Sequence, residues 1–269
     1  MTLRAPHLAD AGRRQDRWDV RVDWALDGLR AVAPGAGSVV VVDVLRFTTA
    51  VSVAVGRGAE VLPYVWAVGD AAQAFAVAEK AELAGLREDG AWSLSPTDLA
   101  AVTEGTRLVL PSPNGSALAF AADEEAPGVA VLAGCLRNAA AVAAVAAGYP
   151  GPVAVVAAGE RWGGALGPLR AAVEDLVGAG AVVDALVAGG GRDAAALSPE
   201  AQVARAAFAA VRADLGGWLA EVGSGRELIE RGWADDVATA AVLDAEAVAP
   251  VLDGPAFRGV TPPAGRHLR

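Results

Sequence analysis

Val39-Val40-Val41-Val42-Asp43-Val44-Leu45-Arg46-Phe47-Thr48-Thr49 is the stretch on which the fold turns. Four consecutive valines with no polar interruption read as a strand buried on both faces, the pattern of a sheet covered by helices on each side. The apolar run stops at an acid. An arginine and two hydroxyls then precede a helix over residues 49–55, which ends at Gly56 or Gly58. Strand, polar turn and helix form the repeating unit of an α/β protein.

The same alternation extends in both directions. Strands are expected over residues 20–24, 61–65, 107–110, 129–132 and 153–157. Helices are expected over 70–83, 116–122, 139–147, 168–188 and 199–219, with shorter pieces at 226–231 and 236–243. Val173, Leu176, Val177, Gly180 and Val183 recur at helical spacing along one face. The chain from residue 255 onward is rich in Pro, Gly and Arg and reads as a frayed end. The expected organisation is a tail over 1–19, an α/β domain over 20–252 and a tail over 253–269. A valine strand leads into a polar motif and a helix at both Asp43 and Gly159, which leaves a two-lobed or duplicated layout open.

Composition narrows the chemistry. The 269 residues are 54% hydrophobic but only 5% aromatic, so the core is built mainly from alanine and valine. The net charge is −10, from 32 acidic and 22 basic residues. No basic block marks a nucleic-acid surface. Lys80 is the only lysine, so a protein cation at a site is an arginine, whose planar fork suits oxyanions. Cys135 is the only cysteine, which excludes an intrachain disulfide and a cysteine metal cluster. His7 and His267 lie near opposite ends and disfavour a histidine triad or a histidine metal site. The charged first twenty residues do not read as a signal peptide. The uncharged stretch 139–159 is interrupted by Gly148-Tyr149-Pro150-Gly151-Pro152, a turn and not part of a membrane span. A cytoplasmic protein without nucleic-acid or membrane partners is expected, and a homodimer is compatible with it. Chemistry is left to carboxylates, arginines, hydroxyls and a hard metal bound through oxygen.

Four polar clusters sit at strand ends or helix starts, where ligands of α/β sheets collect. Asp43, Arg46, Thr48 and Thr49 form the first. The acid can ligate a metal while the arginine and helix amides hold an oxyanion. The same residues also serve as a turn and an N-cap. The second is Pro111-Ser112-Pro113-Asn114-Gly115-Ser116, a nest of backbone amides suited to phosphate, or a tight turn with Ser116 as cap. The third is Ala158-Gly159-Glu160-Arg161-Trp162-Gly163-Gly164, where an acid and an arginine stand side by side. Glu174-Asp175 is the fourth, and acids early in a helix also favour its dipole. No phosphate-binding loop of the G-x-x-x-x-G-K-[ST] type and no complete G-x-G-x-x-G after a strand occurs.

In their order and spacing these clusters resemble the 2-phosphosulfolactate phosphatase family. The matching pieces are Val42-Asp43-Val44-Leu45-Arg46 with Thr48-Thr49, Asn114-Gly115-Ser116, Arg137-Asn138-Ala139, Ala158-Gly159-Glu160 and Glu174-Asp175 with Gly178-Ala179-Gly180. Gly225-Arg226-Glu227-Leu228 and Asp235-Asp236-Val237 continue the match, which covers about residues 20 to 252. The resemblance implies a layered α/β fold around a central mixed sheet flanked by helices. It also implies bound magnesium and hydrolysis of a phosphate monoester on a small sulfonated acid, a step of coenzyme M biosynthesis. On that basis magnesium is expected on Asp43, Glu160 and Asp175, with Glu174 as a further ligand. Arg46 and Arg161 are expected to grip anionic groups, with Asn114, Gly115, Ser116 and Asn138 lining the phosphate and Thr48 and Thr49 beside them. Where the family carries Gly-Glu-Arg and Asn-Ser-Pro, this chain has Gly85-Leu86-Arg87 and Leu94-Ser95-Pro96. Those two leucines keep two alternatives open: another small acidic substrate, or a member that has lost catalysis and binds anions or regulates.

Overall fold

The computed structural model describes residues 13–65, 70–87, 92–163 and 167–263. His7, His267 and Gly164 lie outside them. Nine strands form one mixed sheet. In chain order they are β1 (Val20–Trp24), β2 (Ser38–Val42), β3 (Glu60–Val65), β4 (Glu82–Leu83), β5 (Arg107–Ser112), β6 (Ala130–Gly134), β7 (Val153–Ala157), β10 (Ala249–Asp253) and β11 (Ala256–Val260). Their spatial order is β1-β7-β2-β6-β10-β11-β3-β5-β4. A separate two-stranded piece pairs β8 (Glu160–Arg161) with β9 (Leu169–Arg170).

The valine run behaves as its pattern requires. All five residues of β2 are buried, and successive side chains point to opposite faces. Val40 and Val42 join a core with α6 (Ala139–Ala147), α7 (Val173–Ala188) and α8 (Pro199–Val211). Val39 and Val41 join another with α1 (Ala25–Val32) and α5 (Gly115–Glu125). A third core packs Phe47 and Val51 of α2 (Phe47–Gly56) against Val61, Leu108, Leu110 and Phe257. Gly178 of α7 faces Val42 and Val44, and Gly180 faces the backbone of Ala204 on α8. A side chain at either position would push those elements apart.

The two-lobed expectation takes the form of two blocks within one sheet. β1, β7, β2 and β6 run parallel, as do β3, β5 and β4. The antiparallel hairpin β10–β11 stands between them, so the blocks run in opposite directions. It joins each block through a single residue pair, Val251 with Leu132 and Phe257 with Val61. Four strands separate β2 from β5, a lateral distance of roughly 24 Å in a flat sheet with strands about 4.8 Å apart. Yet the Gly115 amide, just past β5, lies 3.0 Å from the Asp43 carboxylate, just past β2. The sheet therefore curls strongly about the hairpin, in the sense that its intrinsic twist permits, and brings the two strand ends together.

Several expected boundaries change. The helix expected over 70–83 stops at α3 (Ala71–Ala78), because Lys80 adopts φ +52° and Glu82–Leu83 then pairs with β5. The helix expected from residue 168 begins at Val173, since Leu169–Arg170 pairs with Glu160–Arg161. The span 199–219 divides at Arg212–Asp214, where the Asp214 carboxylate accepts from the Gly217 amide and starts α9 (Leu215–Glu221). The end expected to fray from residue 255 is the largest correction. β11 lies inside the sheet, with Phe257 fully buried and its ring edge-on to Phe47 at 6.4 Å. Asp253-Gly254 supplies the turn, with Gly254 at φ +58°, and the apolar pair Ala256-Phe257 returns the chain to the core. At the other end, Gln15 is buried and bonds Val22 in both directions, so the chain before residue 20 is packed at least from Gln15.

Candidate active site

Asp43 leaves β2 at the point where two helices begin. One carboxylate oxygen accepts the Phe47 amide of α2 at 3.1 Å, and the other accepts the Gly115 amide of α5 at 3.0 Å. Both are orphan donors of a helix first turn, the groups that favour an anion. A Cβ at position 115 would collide with the Phe47 ring, so only glycine lets α5 approach. Thr48 and Thr49 do not face this site. The Thr48 hydroxyl accepts from the Asp43 amide and donates to the Asp43 carbonyl, and the Thr49 hydroxyl donates to the Val44 carbonyl. Both are fully buried locks on the turn and not substrate contacts.

Three further acids gather near Asp43. Asp175, at the start of α7, accepts the Val44 amide at 2.7 Å on one oxygen and the Gly159 amide at 2.8 Å on the other. It thus ties the turn after β2 to the turn after β7. Glu160 accepts the Asn114 side-chain amide at 3.1 Å. Glu174 is 1% exposed, and its Oε2 has no hydrogen-bond partner among the described residues. Burial pushes the Asp43 carboxyl up to about 7, Glu160 reinforces the shift, and the Phe47 and Gly115 amides oppose it. Burial, then Asp43, then Glu174 hold the Asp175 carboxyl well above the ordinary carboxylate range. Glu160 is raised by burial, opposed first by its bond from Asn114. The neighbouring charges that raise Asp43 and Asp175 are carboxylates.

That imbalance bears on a metal. Among the described residues no three acids, imidazoles or thiols stand grouped as a ready-made cage. Magnesium does not require one, because it takes one or two carboxylates and completes its shell with water and substrate phosphate. The donors here are all carboxylate oxygens, and a buried Glu174 oxygen lacks a partner. The residues present fit a hard divalent cation.

Asp43, Arg46, Leu94, Asn114, Glu160 and Arg231 help line a hollow of about 160 Å³. At roughly 30 Å³ per water this holds about five waters, the scale of a small metabolite. Arg46 lines the hollow but does not pair with Asp43. Its Nη1 donates to the fully buried Asp236 of α11 (Ala234–Ala240) at 2.8 Å, and its guanidinium lies 4.7 Å from the Trp233 ring. Asp236 also accepts the Ser95 hydroxyl and lies 3.5 Å from Arg87.

The other expected contacts divide. Asn114 and the Gly115 amide are at the site. The Ser116 hydroxyl donates to the Leu110 carbonyl, and Asn138 bonds Cys135 and Ala133 deep in the core, so both are structural. Arg161 donates to the Gly167 carbonyl and lines a neighbouring hollow with Ala25 and Leu26, on a wall shared through Pro113 and Asn114. The arginine across from Glu160 is instead Arg170, which donates to the Ser224 hydroxyl at 2.7 Å. Reading residues 168–170 as helix concealed it, since Pro168 is as compatible with the first position of a helix as with the strand that forms. Leu86 is exposed, whereas Leu94 faces the hollow. A larger hollow of about 640 Å³ opens between α6 and α7. Alanines dominate its wall, and its Asp184 is already paired with Arg205. The chemistry lies with the smaller one.

A curled α/β sheet that sets acids against two helix N-termini, beside arginines, presents them at the strand ends where α/β proteins bind ligands. The sequence profile of the family described as 2-phosphosulpholactate phosphatase matches residues 30–255. The chain belongs to that family, and the family name denotes a phosphoric monoester hydrolase. No curated protein is a significant match. Among the described residues no helix is long and apolar enough to cross a membrane.

Proposed function

We propose that this protein is a magnesium-dependent phosphatase acting on the phosphate monoester of a small carboxylated or sulfonated acid, with 2-phosphosulfolactate as the reference substrate of the family. The observation that carries the magnesium reading is the group Asp43, Glu160, Glu174 and Asp175, in which Glu174 Oε2 has no partner among the described residues and neighbouring carboxylates raise Asp43 and Asp175. Asp43 and Glu174 would hold the ion, with water and substrate phosphate completing its shell. Asp175, with both oxygens on backbone amides, would hold the two turns in register. Bound magnesium supplies positive charge for the phosphoryl oxygens and lowers the pKa of water.

The chain's own groups account for the rest. Arg46 and Arg231 would orient the ester oxygens with their free N–H groups, and Asn114 would fix Glu160 through Oε2. Glu160 Oε1 is then the atom placed to take a proton from the attacking water, since a raised pKa suits a general base. Each Asp43 oxygen already accepts an amide proton, which lowers its nucleophilicity and favours attack by water over an aspartyl-phosphate. The test is phosphate release from 2-phosphosulfolactate and related acids before chelation, after it, and with magnesium restored. Loss and recovery are expected. Release that persists after complete metal removal would overturn the magnesium reading, and no release from any ester would overturn the phosphatase reading.

A further inference from the structure

The hollow beside Asp43 has an apolar wall that phosphate chemistry does not use. Leu45 in the turn after β2, Leu94 ahead of α4 (Pro96–Leu99) and Leu228 on α10 (Gly223–Glu230) all border it. Leu45 and Leu228 are otherwise buried, and Leu94 packs against the core around Phe47 and Phe257. Three separate elements thus contribute to one apolar surface inside a site whose other groups are ionic.

The charges in the hollow are negative on balance before any ligand enters. Arg46 is paired with Asp236 at 2.8 Å and Arg231 with Glu227 at 2.6 Å. The two guanidinium carbons stand 4.7 and 5.6 Å from the Trp233 ring, so one indole carries both. Asp43 and Glu160 then add negative charge to the lining. A phosphate monoester with a divalent cation adds no net charge. Arg170, bonded to Ser224 on the same wall, can meet one further anionic group. A third would lose water without a free cation among the described lining residues, and such burial is costly. An apolar group against the leucines is favoured simply by leaving water.

On the phosphatase reading above, we infer that the substrate is a small phosphomonoester acid with one carboxylate and an apolar substituent of about methyl size. Leu94 is the residue that selects the substituent, and a second strong acid at that position is disfavoured.

The experiment compares kcat/KM for 2-phospholactate, which carries a methyl group, with 2-phosphosulfolactate, which carries a sulfonate there. The parent should prefer 2-phospholactate at least tenfold. Leu94→Asn, close in shape but polar, should narrow that ratio at least threefold, whereas Leu94→Met should keep it. The parent ratio does not depend on how well any variant folds. Equal turnover, or preference for the sulfonate ester, overturns this inference while the phosphatase reading stands. An unchanged ratio in folded Leu94→Asn removes Leu94 as the selector. Turnover of neither ester overturns the phosphatase reading and this inference with it.

Discussion

Arg46 turns away from Asp43, three residues before it, and donates to Asp236, which lies 190 residues further along the chain at 2.8 Å. Among the described residues the acid that ends β2 is thereby left without an ion-pair partner, while the arginine is held in a fixed pose beside the hollow. A guanidinium anchored on one edge by a buried carboxylate and on one face by Trp233 keeps its remaining N–H groups oriented toward a ligand.

Arg46→Ala should therefore lower kcat/KM by about 2–5 kcal/mol, as removal of a charged contact partner does. Arg46→Lys should recover little, because an ammonium cannot bond Asp236 and a phosphate in the same fork geometry. Steady-state kinetics on the parent and both variants check this. Parent-like kcat/KM in Arg46→Lys would show that Arg46 acts only as a diffuse positive charge.

Asp43→Asn should lower kcat/KM at least about a hundredfold, roughly 2.7 kcal/mol. The fold should survive. Asn offers one acceptor where the Phe47 and Gly115 amides need two, a loss of about 1–3 kcal/mol, but a buried negative charge is removed as well. Phosphate release and thermal melting, measured on one preparation, separate the outcomes. Near-parent activity takes Asp43 out of the site. Loss of folding together with activity makes it a helix cap alone.

Stability of the metal-free protein should fall as pH rises from about 5 to 8. Asp43 is pushed up to about 7 in the folded state, against about 3.9 in an unfolded chain. Between those values the native state binds more protons than the unfolded state, so the slope of stability with pH is negative. Asp175 and Glu160 are shifted the same way. Glu60 and Glu125 are lowered by their arginine partners, and their contribution changes only below about pH 4.5, outside this window. Magnesium should flatten the slope by stabilising the charged acids. Melting temperatures across pH 5–8, with and without magnesium, test it. A metal-free melting temperature that rises with pH would contradict the assignment.

Asp175 is expected to behave as a clamp. Asp175→Ala orphans the buried Val44 and Gly159 amides, each at about 1–3 kcal/mol. Asp175→Asn keeps one acceptor and should cost less. Urea denaturation gives the stability change, and magnesium titration of Asp175→Asn shows whether the side chain also ligates. Stability loss with metal affinity within about threefold of the parent fits a clamp. Affinity loss without stability loss would make Asp175 a direct ligand.

Much of this protein is decided along the chain. Val39 to Val42 specify a strand buried on both faces, because an unbroken apolar run has no side to turn to water. Asp43, Asn114, Glu160 and Glu174 were legible as a site because each falls where a strand ends or a helix begins, and local periodicity reveals those positions. Their family order was legible for the same reason. What the chain could not show locally is where hydroxyls and guanidinium groups point. Thr48, Thr49, Ser116 and Asn138 have the right chemistry for phosphate, yet nearby carbonyls and amides within five or six residues, beyond the reach of a residue-type argument, take their bonds. Arg46 finds Asp236, and Arg170 rather than Arg161 faces Glu160, only after α11 and the β8–β9 pairing are in place. β11 of the β10–β11 hairpin reads as part of a tail because the chain from Pro255 on is rich in Pro, Gly and Arg. Only the curl of the sheet about that hairpin brings Gly115 to Asp43, and with it the site into being, because the approach depends on strand order and twist summed over the whole sheet.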